Sequence, residues 1–134
     1  MSVLAVAKSV KISPRKVSQV AALVRGRTVS DALTILSYTN RRGAKAVIDV
    51  IKSASANATH NHGYKQEGLF ITEITVNHGP SLKRFRPVAR GMAHPFQHQT
   101  CHIRVQVDGQ LRQSVKKETA PKPKPKAKTV KEKK

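Results

Sequence analysis

The chain has 134 residues and a formal net charge of +19, from 26 Lys and Arg against 7 Asp and Glu. This length allows one small domain and a tail. The charge favours a polyanionic partner, with nucleic acid ahead of an anionic membrane surface, because self-repulsion of this size destabilises a compact state. Three Phe, two Tyr and no Trp argue against a broad platform for stacking bases. We therefore expect phosphate and shape contacts.

The cysteine content and the N-terminal segment bear on the compartment. Cys101 is the single cysteine, which excludes an intrachain disulfide and favours a reducing compartment. The opening stretch MSVLAVAKSVKIS lacks a basic region followed by a continuous apolar run, so we expect no signal peptide. The apolar runs are too short for a membrane span. The sequence therefore predicts a cytoplasmic protein with no membrane partner.

The first predicted element is a strand over residues 3–12, VLAVAKSVKI. Its apolar and polar residues alternate, as in a strand with one buried face. We predict that Leu4, Val6, Val10 and Ile12 form the buried face, which Lys8 interrupts.

The stretch SPRKVSQVAALVRG predicts a helix. Ser13 can cap its first turn, Pro14 suits the first helical position, and Gly26 suits a left-handed C-terminal cap. Arg15 and Lys16 lie in the first turn, where the helix dipole favours acids, so we expect them to face a partner. The predicted apolar stripe consists of Val17, Val20, Ala21 and Val24.

Two further helices are predicted. SDALTILSY forms a short helix, capped by Thr28 or Ser30. A longer helix runs from about residue 41 to 61 and ends before Gly63. Its predicted stripe consists of Ala44, Val47, Ile48, Ile51, Ser55 and Ala58.

Two alternating stretches flank a long segment at residues 79–100, GPSLKRFRPVARGMAHPFQHQT. LFITEITVNHGP predicts one strand and TCHIRVQVDG another, each with one buried and one polar face. If these strands pair, the segment between them is the distal part of a long antiparallel hairpin. The predicted buried residues are Phe70, Ile74 and Val76 on the first strand, and Cys101, Ile103, Val105 and Val107 on the second.

The composition changes after Val115 to KKETAPKPKPKAKTVKEKK. A Lys/Pro-rich stretch of this kind cannot bury enough apolar surface to compensate for chain ordering. We predict a domain at residues 1–112 and a disordered basic tail at residues 113–134.

Histidine and cysteine residues are the candidates for metal or catalytic chemistry. His94, His98 and His102 are four residues apart, but Cys101 lies on the opposite strand face from His102 and no structural zinc spacing is present. Carboxylates are scattered singly, and a glycine-rich phosphate loop is absent from the sequence. We therefore predict no metal, no cofactor and no catalytic residue.

The stretch SLKRFRPVARG is the strongest candidate for a binding element. It carries Lys83, Arg84, Arg86 and Arg90. A charge run of this kind often forms only a solvated surface. Here it lies between two strands and also carries apolar residues, a combination suited to insertion into folded RNA. These apolar residues are Leu82, Phe85, Val88, Met92 and Phe96.

The sequence from residue 13 to 61, then ITVNHGPSLKRFRPVARG and TCHIRVQV, closely resembles the family of the bacterial large-subunit ribosomal protein number twenty-two. The resemblance covers roughly residues 4–108. It implies an α+β fold, with three helices packed on a small three-stranded antiparallel sheet and a long protruding β-hairpin. About ten residues per arm at roughly 3.3 Å each give a reach on the order of 30 Å.

The resemblance also implies the binding residues. Those expected to contact ribosomal RNA are Ser13, Arg15, Lys16, Lys83, Arg84, Arg86, Arg90 and His102. The expected tunnel-facing hairpin tip is Val88, Ala89, Arg90, Gly91 and Met92. The family usually has basic residues where this chain has Val88 and Met92, and a basic pair and a Ser where it has His98, Gln99 and Cys101.

The implied function is that of a structural constituent of the large ribosomal subunit in the cytoplasm. It would bind large-subunit ribosomal RNA, aid assembly and line the nascent-peptide exit tunnel with its hairpin. The implied partners are this RNA, neighbouring large-subunit ribosomal proteins and the nascent polypeptide. The alternatives are a non-ribosomal architectural RNA- or DNA-binding protein using the same ribbon, and an enzyme using Cys101 or the histidines.

Overall fold

The computed structural model describes residues 2–110. These residues form strand β1 (Val3–Val10), helices α1 (Pro14–Val24), α2 (Val29–Tyr38) and α3 (Arg42–Asn61), and strands β2 (Phe70–His78), β3 (Leu82–Pro87), β4 (Ala93–His98) and β5 (Cys101–Asp108). The predicted tail, residues 113–134, lies outside the described part of the chain. None of the helices within residues 2–110 is both long and apolar enough to cross a membrane.

A three-stranded antiparallel sheet has β5 at its centre, with β1 and β2 on either side. The predicted pairing of the strands that flank residues 79–100 is therefore confirmed. Helices α1 and α3 pack on the sheet, and α2 packs on both helices. The predicted buried side of β5 is also confirmed, because Cys101, Ile103, Val105 and Val107 are fully buried.

The predicted buried face of β1 is wrong in its first half. Val3 and Ala5 are buried, whereas Leu4 and Val6 are 43% and 46% exposed. Helix α3 packs against this strand, and the face of β1 buried in its first half is the one that carries Val3 and Ala5.

A β-bulge explains why the second half of the β1 prediction holds. Ala7 pairs with Ile103 and Val10 pairs with Cys101, so two β1 residues lie opposite one β5 residue. An extra residue reverses which side of the strand faces the core. The inward positions change accordingly, and Val10 and Ile12 pack against the core.

A second irregularity corrects the prediction for β2. The register shifts between Ile71 and Glu73, so Ile71 and Ile74 are both buried, while Phe70 is 45% exposed rather than buried. The loop between α1 and α2 pairs with this end of the strand. The amide of Gly26 donates to the Ile71 carbonyl at 3.1 Å, and the amide of Ile71 donates to the Arg27 carbonyl at 2.9 Å.

The helix ends follow the sequence signals with one exception. Gly26 adopts a φ of +73°, as predicted for a left-handed cap. Thr28, rather than Ser30, caps α2 by accepting a hydrogen bond from the Asp31 amide at 3.2 Å. Ser13 precedes α1, but its side chain does not cap the helix. The predicted stripe of α3 also omitted Val50 and Ala54, both of which are buried.

Candidate nucleic-acid interface

Strands β3 and β4 form a two-stranded antiparallel hairpin between β2 and β5. Their register runs from Leu82 opposite His98 to Pro87 opposite Ala93, and all of residues 80–99 are exposed. Phe85 and Met92 are 71% and 63% exposed. A ribbon that leaves large apolar side chains uncovered is suited to contact with a partner surface.

The two faces of the hairpin differ in character. Side chains alternate along a strand, so Arg84 and Arg86 share a face with their cross-strand partners Phe96 and His94. The Arg86 guanidinium lies over the Phe96 ring, 5.8 Å from its centroid. The opposite face carries Lys83. One face of the ribbon therefore presents the guanidinium groups of Arg84 and Arg86, and the Phe96 ring contacts that of Arg86.

The hairpin turns at residues 88–92. The amide of Val88 donates to the Met92 carbonyl at 2.9 Å. Arg90 and Gly91 both adopt positive φ angles, of 59° and 69°. This backbone region disfavours side chains and suits glycine, so Gly91 fits the turn. Arg90 adopts the same region despite its side chain. The residues predicted as the tip thus form the turn itself.

The root of the hairpin is held by Thr100, which is 5% exposed. Its hydroxyl donates to the Pro80 carbonyl at 2.7 Å, and its own carbonyl accepts from the Gly79 amide at 2.9 Å. A side chain at Gly79 would collide with the Thr100 hydroxyl. The absence of a side chain at Gly79 therefore allows the two arms to approach at their root.

A cleft of about 660 Å³ lies where the globular domain meets the hairpin. Ser13 Oγ lies 3.2 Å from Gln99 Oε1 across this junction. Four of the residues that line the cleft are cationic, and its lining within residues 2–110 includes no carboxylate. The lining residues are Lys11, Ile12, Ser13, Lys16, Gln19, Arg41, Arg42, Gly43, Gln97, His98 and Gln99.

The starts of two helices meet at this cleft. Helix α1 begins at Pro14 and α3 begins at Arg42, and the first turn of neither helix contains an acid. Free amides and the helix dipole make a helix start favourable for anions. Cationic side chains at both starts add to this potential, so the cleft has the electrostatic character of a phosphate site.

The structure brings together part of the predicted set. Ser13 and Lys16 line the cleft, whereas Arg15 is exposed on α1 outside it. Lys83, Arg84 and Arg86 lie on the β3 arm, and Arg90 lies in the turn.

Sequence reasoning missed Lys11, Arg41 and Arg42, which also line the cleft. The signal for the two arginines was available. They stand at the start of a predicted helix, where the helix dipole disfavours cations. Arg15 and Lys16 stand at the same disfavoured place in the first predicted helix.

The residues considered for catalysis and metal binding are arranged for other roles. Cys101 is fully buried, and burial raises the pKa of its thiol, which disfavours the reactive thiolate. His102 Nδ1 accepts a hydrogen bond from the Ser9 amide at 2.9 Å. Within residues 2–110, no cluster of three or more His, Cys, Asp or Glu side chains could hold a metal ion.

The class that these features define is a basic polyanion-binding protein, built on a small α+β domain with an exposed ribbon and a cationic cleft at its root. The ribosomal protein L22p/L17e family matches residues 5–108, and the chain belongs to this family. Membership confirms the predicted family, and it confirms the prediction of a ribosomal protein rather than an enzyme.

Several relatives carry the name large ribosomal subunit protein uL22. The protein of Lacticaseibacillus casei strain BL23 is 46% identical over 106 residues, covering 79% of this chain and 91% of the relative. That of Clostridioides difficile strain 630 is 47% identical over 107 residues, covering 80% and 96%. That of Finegoldia magna is 43% identical over 108 residues, covering 81% and 96%.

Proposed function

We propose that this chain is a structural component of the large ribosomal subunit in the cytoplasm, and that it binds large-subunit ribosomal RNA through the cationic cleft and the hairpin. The observation that carries the proposal is the cleft itself. It places Lys11, Lys16, Arg41 and Arg42 around two helix starts, at the root of an exposed basic ribbon. This arrangement suits the phosphate backbone of a folded RNA.

The cleft and the hairpin have different tasks in this proposal. Phosphate contacts fix position and orientation on a nucleic acid. The cleft therefore anchors the globular domain on the RNA surface. The proposed contacts in the cleft are Lys11, Ser13, Lys16, Arg41 and Arg42. Those outside it are Arg15 on α1 and Lys83, Arg84, Arg86 and Arg90 along the hairpin.

The hairpin enters folded ribosomal RNA and places its turn in the wall of the nascent-peptide tunnel. The exposure of residues 80–99 supports this proposal, because the ribbon has no cover of its own within the described part of the chain. Exposed Phe85 and Met92 suit contacts with bases and sugars rather than water. In this arrangement the turn residues Val88, Ala89, Arg90, Gly91 and Met92 line the path of the nascent polypeptide.

Assembly follows from the same arrangement. A ribbon that contacts RNA segments far from the cleft brings those segments together, so the chain aids the folding of the subunit and adjoins neighbouring large-subunit proteins. We assign residues 1–112 to the RNA-binding domain and residues 113–134, with nine Lys and two Glu, to an accessory basic tail. Family membership favours this function over that of a free architectural nucleic-acid-binding protein.

A salt titration with matched charge variants tests the proposal. Arg41→Gln with Arg42→Gln removes two cleft cations, and Lys52→Gln removes a cation of α3 that lies outside the cleft. Binding of transcribed large-subunit ribosomal RNA should weaken steeply with salt. The slope of log affinity against log salt should fall by roughly 1 to 2 in the double variant. Lys52→Gln should leave the slope nearly unchanged.

Two outcomes would count against the cleft. Salt-insensitive binding by the wild-type chain would exclude a mode driven by phosphate contacts. If the cleft variant and Lys52→Gln lowered the slope of log affinity against log salt equally, RNA binding would depend on total charge and not on the position of the cations in the cleft.

A further inference from the structure

The side chain of His102 serves as a hydrogen-bond partner within the bulge of β1. The amide of Ser9 donates to His102 Nδ1 at 2.9 Å. Ser9 adopts a φ of 55°, in a region that residues other than glycine rarely occupy. The imidazole thus provides the hydrogen-bond acceptor for the Ser9 amide at this strained position, where the pairing of β1 with β5 is interrupted.

The bulge determines where Lys11 points. Beyond the bulge, Val10 and Ile12 pack against the core, and Lys11 is exposed in the lining of the cationic cleft. Without the extra residue, a shift of one position would turn Lys11 inward and the two apolar residues outward. The contact between Ser9 and His102 therefore supports one wall of the cleft.

The hydrogen bond also fixes the chemical form of His102. A ring nitrogen that accepts a hydrogen bond carries no proton, so the ring proton is on Nε2. An imidazolium ion has a hydrogen on both nitrogens and cannot accept from the Ser9 amide. In this arrangement His102 is neutral, and it supplies no positive charge to a phosphate.

We propose that His102 is a positioning residue for RNA binding. As a neutral imidazole it holds the Ser9 bulge and thereby places Lys11 in the cleft, and it does not act as a cation toward phosphate. This proposal rests on the proposed function, namely that the cleft binds RNA.

Two variants of His102 separate positioning from direct phosphate contact. His102→Asn retains an acceptor at the place of Nδ1, since both atoms are bonded to Cγ, but it has no ring and no charge. His102→Lys offers a positive charge and no acceptor. Positioning predicts that the Asn variant binds large-subunit ribosomal RNA within about twofold of wild type and the Lys variant about fivefold more weakly, the loss of one hydrogen bond.

The reverse order, with strong binding by the Lys variant and weak binding by the Asn variant, would overturn the proposal. A rescue experiment adds a second criterion. Glycine adopts positive φ without strain, so Ser9→Gly should restore binding to the His102→Lys variant. Failure of this rescue in a folded double variant would also contradict positioning.

A measurement on the free chain distinguishes failure of this proposal from failure of the proposed function. The imidazole ¹⁵N spectrum of His102 should show an unprotonated Nδ1 and a protonated Nε2, and the Ser9 amide should be protected from hydrogen exchange. A protonated Nδ1 or an unprotected Ser9 amide would refute the contact. If the spectrum is as expected and the wild-type chain does not bind RNA, the RNA-binding function fails and the role of His102 in it fails as well.

Discussion

Ser13 Oγ donates toward Gln99 Oε1 over 3.2 Å and so links the start of α1 to the end of the hairpin. The backbone carbonyl of Ser13, rather than its side chain, accepts from the first turn of α1, at 3.1 Å from the Lys16 amide and 3.3 Å from the Val17 amide. The serine hydroxyl therefore belongs to the junction between the globular domain and the hairpin.

This relationship predicts unequal effects for two similar substitutions. Thr28→Ala removes a side-chain cap from α2 and should lower the free energy of unfolding by about 1 kcal/mol. Ser13→Ala removes no cap and should change it by less than about 0.5 kcal/mol. Urea unfolding of both variants and the wild type measures the difference, and equal losses would contradict the conclusion that the Ser13 side chain, unlike that of Thr28, caps no helix.

The root of the hairpin should not tolerate a side chain at Gly79. A Cβ atom there would collide with the Thr100 hydroxyl and lie 3.2 Å from the Thr100 carbonyl carbon. Backbone on the opposing arm must then move, so Gly79→Ala should destabilise the domain by about 1–3 kcal/mol. Gly68→Ala is the matched control, because a Cβ there meets nothing within 4 Å. Comparable unfolding midpoints for the two variants would show that the close approach of Gly79 to Thr100 does not contribute to stability.

The thiol of Cys101 should make stability depend on pH in the alkaline range. Burial raises its pKa above the ordinary value of 9.0. The unfolded chain then loses the thiol proton at a lower pH than the folded chain does. The protonated thiol therefore makes its full contribution to the free energy of unfolding below pH 9.0. This contribution is lost as the pH rises toward the pKa of the thiol in the folded chain.

Cys101→Val isolates this contribution because it keeps a small apolar side chain and removes the titrating group. The free energy of unfolding of the wild type should fall more steeply above pH 9.0 than that of the variant. Parallel curves would show that the thiol does not contribute. The folded wild type should also resist alkylation at Cys101 until it is denatured.

The basic tail should affect RNA association and leave folding unchanged. A chain of residues 1–112 retains the bond from the Lys65 amide to the Gln110 carbonyl, 3.0 Å long. Its free energy of unfolding should match that of the full chain within about 0.5 kcal/mol. Its affinity for large-subunit ribosomal RNA should be lower at low salt, because nine lysines are lost. A clear fall in its thermal midpoint would contradict the proposed boundary.

Regular periodicity allowed most of the fold to be predicted. The strict alternation of β5 identified Cys101, Ile103 and Val105 as buried, and the glycine at position 26 marked the end of α1. The buried sides of β1 and β2 could not be read in the same way. A bulge near Ser9 and another between Ile71 and Glu73 interrupt the period of two, and bulges have no simple sequence signature.

The part of the candidate site whose charges are close in sequence could be predicted. The part whose charges come together only in the folded chain could not. Arg84 and Arg86 stand together on one strand, so the basic ribbon could be recognised. The cleft joins Lys11, Lys16 and Arg41 from separate elements, which requires knowledge of how α1 and α3 pack. The link between Ser13 and Gln99 spans 86 positions of sequence, and neither residue indicates it alone.

Co-sedimentation with the large ribosomal subunit in high salt is the decisive test of whether this chain is a structural component of that subunit. Non-specific electrostatic binding to RNA is lost as the salt concentration rises, whereas a hairpin enclosed in folded RNA stays bound. We expect the tagged chain to remain with washed large subunits in one copy per particle. A chain that leaves the subunits in high salt and accumulates as a free pool would contradict its role as a structural component of the subunit.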